Sequence, residues 1–244
     1  MSLSSMGITP ESFMAFRFFE LPFELRSKIL TMVLVTSKTY SLDPENSRGG
    51  QKRLNVFLTS RQMHEEAYRV FYGSHTFRIF PTHGRFWGNK VVPLIARLPV
   101  RYREALVSLE LRLGPGWNSP PASWKVDSHL GLEQMTNVRI LKLFIECDPS
   151  LETFRGFRID ETFYTEFSQD MLEGLFQRLP AISIVQVDGW PSVPRQGSLM
   201  KALVRTANRH GKSVVLLGDE ESFEKGKEVY RTVISVLPSL SPVR

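Results

Sequence analysis

The feature that most constrains this chain is an alternation in its second half. The runs "LVSLELRL", "VRILKLFI", "ISIVQVDGW" and "SVVLLG" begin at Leu106, Val138, Ile182 and Ser213. Each is short and rich in β-branched or aliphatic residues, as a strand requires. Before them stand "KVVPLIARLP", "LGLEQMT", "DMLEGLFQRLP" and "LMKALVRTANRHG", which read as helix-like or loop segments. Strands separated by such crossovers run parallel, because the chain re-enters the sheet in the same direction each time. The expected fold is mixed α/β with mostly parallel strands over residues 85–244.

Two stretches carry a finer pattern. "LEQMTNVRILKLFI" and "LFQRLPAISIVQV" both space their apolar residues as L-x-x-(M/L)-x-x-(V/I)-x-x-(L/V)-x-(L/V). That resembles an irregular leucine-rich repeat, in which a strand lines a curved sheet and a helix covers its back. The repeat spacing is uneven and the usual asparagine ladder is missing, so an ordinary α/β sheet is the competing reading.

Two loops rich in proline, glycine and tryptophan follow predicted strand ends: "GPGWNSPPASW" (114–124) and "GWPSVPRQG" (189–197). A parallel sheet puts all strand C-termini on one side, so Trp117, Trp124 and Trp190 are expected on one rim. Stiff aromatic anchors lose little entropy on binding, which makes Trp117 and Trp190 partner-binding candidates. The alternative is that they cap the sheet edge.

The N-terminal quarter reads differently. Leu21, Leu25, Ile29 and Met32 or Val33 recur at helical spacing and form one stripe. Pro22 suits the first helical position and Glu24 the positive end of the helix dipole, so a helix is expected over 22–35. The polar "TSKTYSLDPENSRGGQKR" is a loop with a short strand at 39–42. A second helical segment follows over 54–72, with Thr59 and Gln62 as a capping box at an internal break and Gly73 as its stop. "HTFRIF" alternates as a short strand.

Residues 1–12 read as a flexible tail. The single cysteine, Cys147, excludes an internal disulfide. The least interrupted apolar stretch, Ile29 to Val35, is too short to cross a bilayer, and "MSLSSMGITPES" lacks the pattern of a secretory signal. The net charge of +6 is spread evenly between residues 1–80 and the remainder, which argues against a nucleic-acid surface, where basic residues gather on one face.

Catalytic patterns fail on spacing. "HGKS" (210–213) lacks the upstream glycine of a phosphate loop, since that position is Thr206. "HEEAY" (64–68) has Tyr68 where a zinc helix needs its second histidine. There is no G-x-S-x-G elbow, Cys147 reads as a small hydrophobe, and "GDEES" (218–222) reads as solvated acid. No catalytic residue, metal or cofactor is expected. If the chain were nonetheless an enzyme, its pocket would lie at the strand C-termini, near 110–112, 146–148, 188–190 and 218–220.

"LPFELRSKIL" resembles the first helix of the F-box, which begins Leu-Pro-x-Glu-(Leu/Ile) and continues to Ile-Leu. Leu21, Pro22, Glu24, Leu25, Ile29 and Leu30 carry the match. "LTSRQMHEEAYRVFYGSHTFRI" resembles the segment that follows it in fungal F-box-like proteins, through Leu58, Ser60, Arg61, Gln62, Glu66, Ala67, Phe71, Tyr72, Gly73 and Phe77. The start is also similar to a fungal family with two Glu-x-Arg motifs, through Phe18 and Arg26, although Thr59 replaces glutamate in the second motif.

The resemblance covers roughly residues 16–80 and implies an F-box-like unit at 13–84 followed by a ligand-binding region at 85–244. It further implies a non-enzymatic adaptor, the substrate receptor of a cullin–RING ubiquitin ligase, inside the cell in cytoplasm or nucleus. Its partners would be a Skp-type adaptor, docked through Leu21, Pro22, Leu25 and Ile29, and an unknown protein substrate. The loop at 36–53 is longer than in a typical F-box. The alternative is a fungal scaffold or recognition protein with no ligase link, including a nucleic-acid-associated one.

Overall fold

The computed structural model describes residues 16–41, 51–79, 93–114, 124–149, 151–152, 155, 160 and 162–217. Six strands form one sheet: β1 (Tyr40–Ser41), β2 (Thr76–Ile79), β3 (Ser108–Leu113), β4 (Ile140–Ile145), β5 (Ile184–Gly189) and β6 (Ser213–Leu216). Every neighbouring pair is parallel, and the order in space is the order along the chain. The ladder runs across the expected boundary at 84/85. Thr76, Phe77, Arg78 and Ile79 of β2 lie opposite Ser108, Leu109, Glu110 and Leu111 of β3. The N-terminal segment therefore contributes two strands to the sheet that the later strands complete.

The register sorts the side chains into two faces. Phe77, Leu109, Leu141 and Val185 form one row, and Ile79, Leu111, Leu143 and Val187 the next. These rows pack in one core with Leu172, Leu175 and Phe176 of α5 (Phe163–Arg178) and Leu199, Leu203 and Ala207 of α6 (Ser198–Arg209). Leu109 and Leu141 are fully buried, so truncating either to alanine costs about 2–5 kcal/mol. The opposite face carries the rows Arg78–Glu110–Lys142–Gln186 and Arg112–Phe144–Asp188.

The crossovers are unequal. Residues 163–178 and 198–209 form full helices, whereas the segments before β3 and β4 do not. Before β3 lie a 3-10 turn (Leu94–Arg97) and the short α4 (Val100–Glu104), each entered through a proline, Pro93 and Pro99. Before β4 lie two 3-10 turns, Ser128–Leu130 and Leu132–Gln134, separated by Gly131 at φ 63°. That left-handed backbone stops a helix from forming, and a side chain there would also press on Ala96.

The N-terminal helices are α1 (Phe23–Leu34), α2 (Gln51–Leu54) and α3 (Arg61–Ser74), with a 3-10 turn at Asn55–Leu58. The cap of α3 is Ser60, whose Oγ accepts the Met63 N–H at 3.1 Å, and not Thr59, whose hydroxyl donates to the Val56 carbonyl at 2.9 Å. Gly73 does not stop α3, because its φ is not positive; the helix runs on to Ser74 and is capped by His75 in extended conformation. Aromatic side chains then weld α3 to the sheet. Tyr40 meets Phe71 edge-on at 5.0 Å, and Tyr72 stacks on Phe77 at 5.3 Å and on Tyr102 at 5.0 Å. Each such pair contributes about 0.5–1.5 kcal/mol beyond its burial.

His75 pins the same region. Its Nε2 accepts the backbone N–H of Thr36 at 3.0 Å, so Nδ1 carries the proton and donates to the Phe71 carbonyl at 2.8 Å. Burial pushes its pKa below the ordinary histidine value, against a smaller opposing effect of the Phe71 carbonyl. Among the described residues, no helix is long and apolar enough to cross a membrane.

Candidate interaction surfaces

Pro22 sits at the N-cap of α1, one position before the first helical residue, at φ −52°. Glu24 occupies the first turn, where the dipole favours its charge. Helical geometry then divides the apolar residues between two faces. Leu30 and Leu34, one turn apart, are buried in the core. The stripe of Leu25, Ile29, Met32 and Val33 points the other way: Leu25 is 49 % exposed, Met32 71 % and Val33 46 %. Leu21 and Ile29 are half-buried and Pro22 is exposed. Three large apolar side chains left in water on one helix face are a cost that a partner would remove, at about 1.5–3 kcal/mol per fully buried residue.

Arg26 fixes the orientation of this helix. Its Nε donates to Glu66 Oε2 at 2.8 Å and its Nη2 to Glu66 Oε1 at 2.9 Å, with both side chains largely buried. Its Nη1 reaches the Leu21 and Phe19 carbonyls. Its hydrogen bonds to the Glu66 carboxylate hold the guanidinium pKa above its usual value. One arginine thus ties the entry of α1 to α3 and turns the Leu25–Met32 stripe outward.

Beside α3 lies a shallow cleft of about 590 Å³ bordered by Phe57, Leu58, Arg61, His64, Glu65 and Arg101. Three of its polar groups, on His64, Glu65 and Arg101, are engaged in the fold. His64 Nδ1 meets the Phe57 carbonyl at 3.0 Å and its Nε2 the Tyr102 hydroxyl at 2.5 Å. Arg101 pairs with Glu65 at 2.7 Å and lies over the Tyr102 and Tyr68 rings.

On the sheet face away from α5 and α6, Glu110 is nearly buried. It accepts from Arg78 at 2.8 Å, Arg112 at 3.0 Å and the Thr39 hydroxyl at 3.1 Å. Burial drives its pKa upward, but the two guanidiniums outweigh burial and hold the carboxyl below its ordinary value. Burial lowers the Lys142 pKa, which Glu110 only partly restores. Arg112 also pairs with Glu146 at 3.2 Å and lies over the Phe144 ring at 4.7 Å. A side chain at Gly114 would meet the Glu146 carboxylate and displace it from its place beside Arg112.

Trp190 meets Phe144 edge-on at 5.6 Å and remains 52 % exposed. It borders a cleft of about 480 Å³ at the C-terminal ends of β5 and β6, with Asp188, Val193, Arg195, Met200 and Leu216. Of the three tryptophans expected on one rim, Trp190 alone of the two described ones stands largely in water. Trp124 packs inward against Phe167 of α5 at 6.0 Å, and Trp117 lies outside the described residues. Of the strand-end segments, those at 110–112, 146–148 and 188–190 do come together, while residues 218–220 lie outside the described residues. Cys147 is half-buried, and burial pushes its thiol pKa up, away from reactivity.

Sequence reasoning singled out Leu25, Ile29 and Trp190, of which Leu25 and Trp190 are exposed and Ile29 is half-buried, and it missed the Arg26–Glu66 pair and the Arg112–Phe144 stack. Strand alternation puts Arg112, Phe144 and Asp188 on one face, yet only the register sets them side by side. Comparison of the chain with protein-family models, with curated proteins and with solved structures returned no match.

Proposed function

We propose that this chain is a protein-interaction adaptor, an F-box-like substrate receptor of a cullin–RING ubiquitin ligase, acting inside the cell. The observation that carries the reading is the outward apolar stripe of α1. Leu25, Met32 and Val33 stay exposed while Leu30 and Leu34 fill the core, so the helix has one face for its own fold and one for a partner. A helix laid into a partner's groove through such spaced anchors is a common docking mode. The sheet order supports the leucine-rich-repeat-like reading of the rest, since stacked β/α units place each strand beside the next in sequence. The charges of the polar sheet face favour a protein ligand over nucleic acid: Arg78 and Arg112 are matched to Glu110 and Glu146, which leaves few cations for phosphates. Capture of a purified Skp-type adaptor by the immobilised chain tests the proposal. Absence of capture by the correctly folded wild-type protein removes the ligase role and leaves a scaffold without it.

A further inference from the structure

Two neighbouring strands end in the same chemistry, and only one of them is satisfied. On β4, Phe144 and Glu146 stand two residues apart on one face, and together they hold a cation: Arg112 lies over the Phe144 ring at 4.7 Å and pairs with Glu146 at 3.2 Å. On β5, Asp188 and Trp190 stand two residues apart on that same face, Asp188 directly opposite Phe144. The ladder continues to Trp190, whose N–H donates to the Ile145 carbonyl at 3.0 Å, so the indole is held in register. Here, among the described residues, neither the aromatic ring nor the carboxylate is paired with a cation. Glu110 and Glu146 on this face are paired with arginines, whereas among the described residues Asp188 accepts the N–H of its own neighbour Gly189, at 2.8 Å, and no side-chain donor.

From this geometry we propose that the cleft at the ends of β5 and β6 receives an arginine side chain of a partner protein, its guanidinium over the exposed Trp190 ring and paired with Asp188. The ring is half exposed yet braced edge-on by Phe144, so stacking requires no ordering of the indole. The Gly189 N–H takes one lone pair of Oδ1 and orients the carboxylate, and the remaining lone pairs of its two oxygens suit the planar donor fork that arginine presents. Val193, Met200 and Leu216 line the remainder of the cleft and suit an apolar residue beside the arginine. Arg195 also borders the cleft, and its Nη2 is directed to the Leu217 carbonyl at 3.4 Å.

This inference rests on the adaptor reading, in which the chain captures a protein substrate, but the two fail separately. The probe is a set of heptapeptides with randomised flanks and a fixed centre of arginine, lysine, glutamine, glutamate or leucine, offered to the immobilised full-length chain. Arginine-centred peptides are expected to bind at least about tenfold better than glutamine-centred ones. The Asp188→Asn variant keeps the acceptor for Gly189 and should lose that preference at an unchanged melting temperature, and Trp190→Ala should weaken binding by a similar factor. Equal binding of glutamine or glutamate centres, an undiminished preference in Asp188→Asn, or no binding of any peptide at millimolar concentration overturns the proposal. Peptide binding without adaptor capture leaves the cleft standing and removes the ligase role; adaptor capture without peptide binding does the reverse.

Discussion

Arg26 and Glu66, forty residues apart in sequence, face each other through two near-parallel hydrogen bonds of 2.8 and 2.9 Å. Each comes from one of the two conspicuous N-terminal stretches, and the pair joins α1 to α3. Removing one partner strands a largely buried charge. Glu66→Met and Arg26→Met are each expected to destabilise the fold by about 3 kcal/mol, whereas the double replacement costs less than either single one. Urea unfolding of the four proteins in a double-mutant cycle measures this.

Neutral His75 gives stability a sign with pH. Its folded pKa lies below the ordinary 6.5, so its contribution is complete above pH 6.5. As pH falls from there toward the folded pKa, the unfolded chain takes up a proton that the folded one refuses. Stability then declines by up to about 1.4 kcal/mol per pH unit from this group. Melting curves from pH 7.5 to 5 should show the decline, and His75→Gln should flatten it.

Glu110 acts lower on the scale. Its folded pKa is depressed below 4.5, so its stabilising effect is present above pH 4.5 and is lost as pH falls through the folded value. Glu110→Gln should therefore weaken the acid limb of the stability profile below about pH 4.5 and destabilise the protein at neutral pH, where Arg78 and Arg112 lose their shared partner. Acid titration followed by circular dichroism tests both.

The two described tryptophans should separate cleanly. Trp124 packs against α5 and Trp190 stands half in water. Trp124→Ala is expected to cost roughly 2 kcal/mol, below the ~3–5 of a fully buried ring, and Trp190→Ala under about 1 kcal/mol. Thermal melts of both variants give the comparison.

The strands were legible because their side chains alternate or run apolar over six residues, a local signal. That is why Ser108–Leu113 and Ile184–Gly189 fall inside the expected runs. Union of the N-terminal segment with the sheet was not legible, because β1 is only two residues long and its partner Phe77 is distant in sequence. The outward face of α1 was ambiguous for a different reason. Leu25, Ile29 and Met32 share one face and Leu30 and Leu34 the other, so periodicity offers two apolar stripes. Tertiary contacts decide which one the core takes: Leu30 and Leu34 join the core cluster, and the bond from Arg26 to Glu66 ties the helix to α3. Likewise the missing cation at Asp188 and Trp190 appears only beside the filled site on β4, which requires the register.

The most direct test of the account is calorimetric titration of a purified Skp-type adaptor into the full chain and into its Leu25→Glu, Met32→Glu variant. Both positions are exposed, so the variant should melt as the wild type does, while Leu30→Ala, which reaches only the core, should lower the melting temperature. The account predicts saturable binding by the wild type and at least about a tenfold loss in the variant, 1.4 kcal/mol or more. No heat of binding with the folded wild-type chain, or equal affinity of the variant, would contradict it.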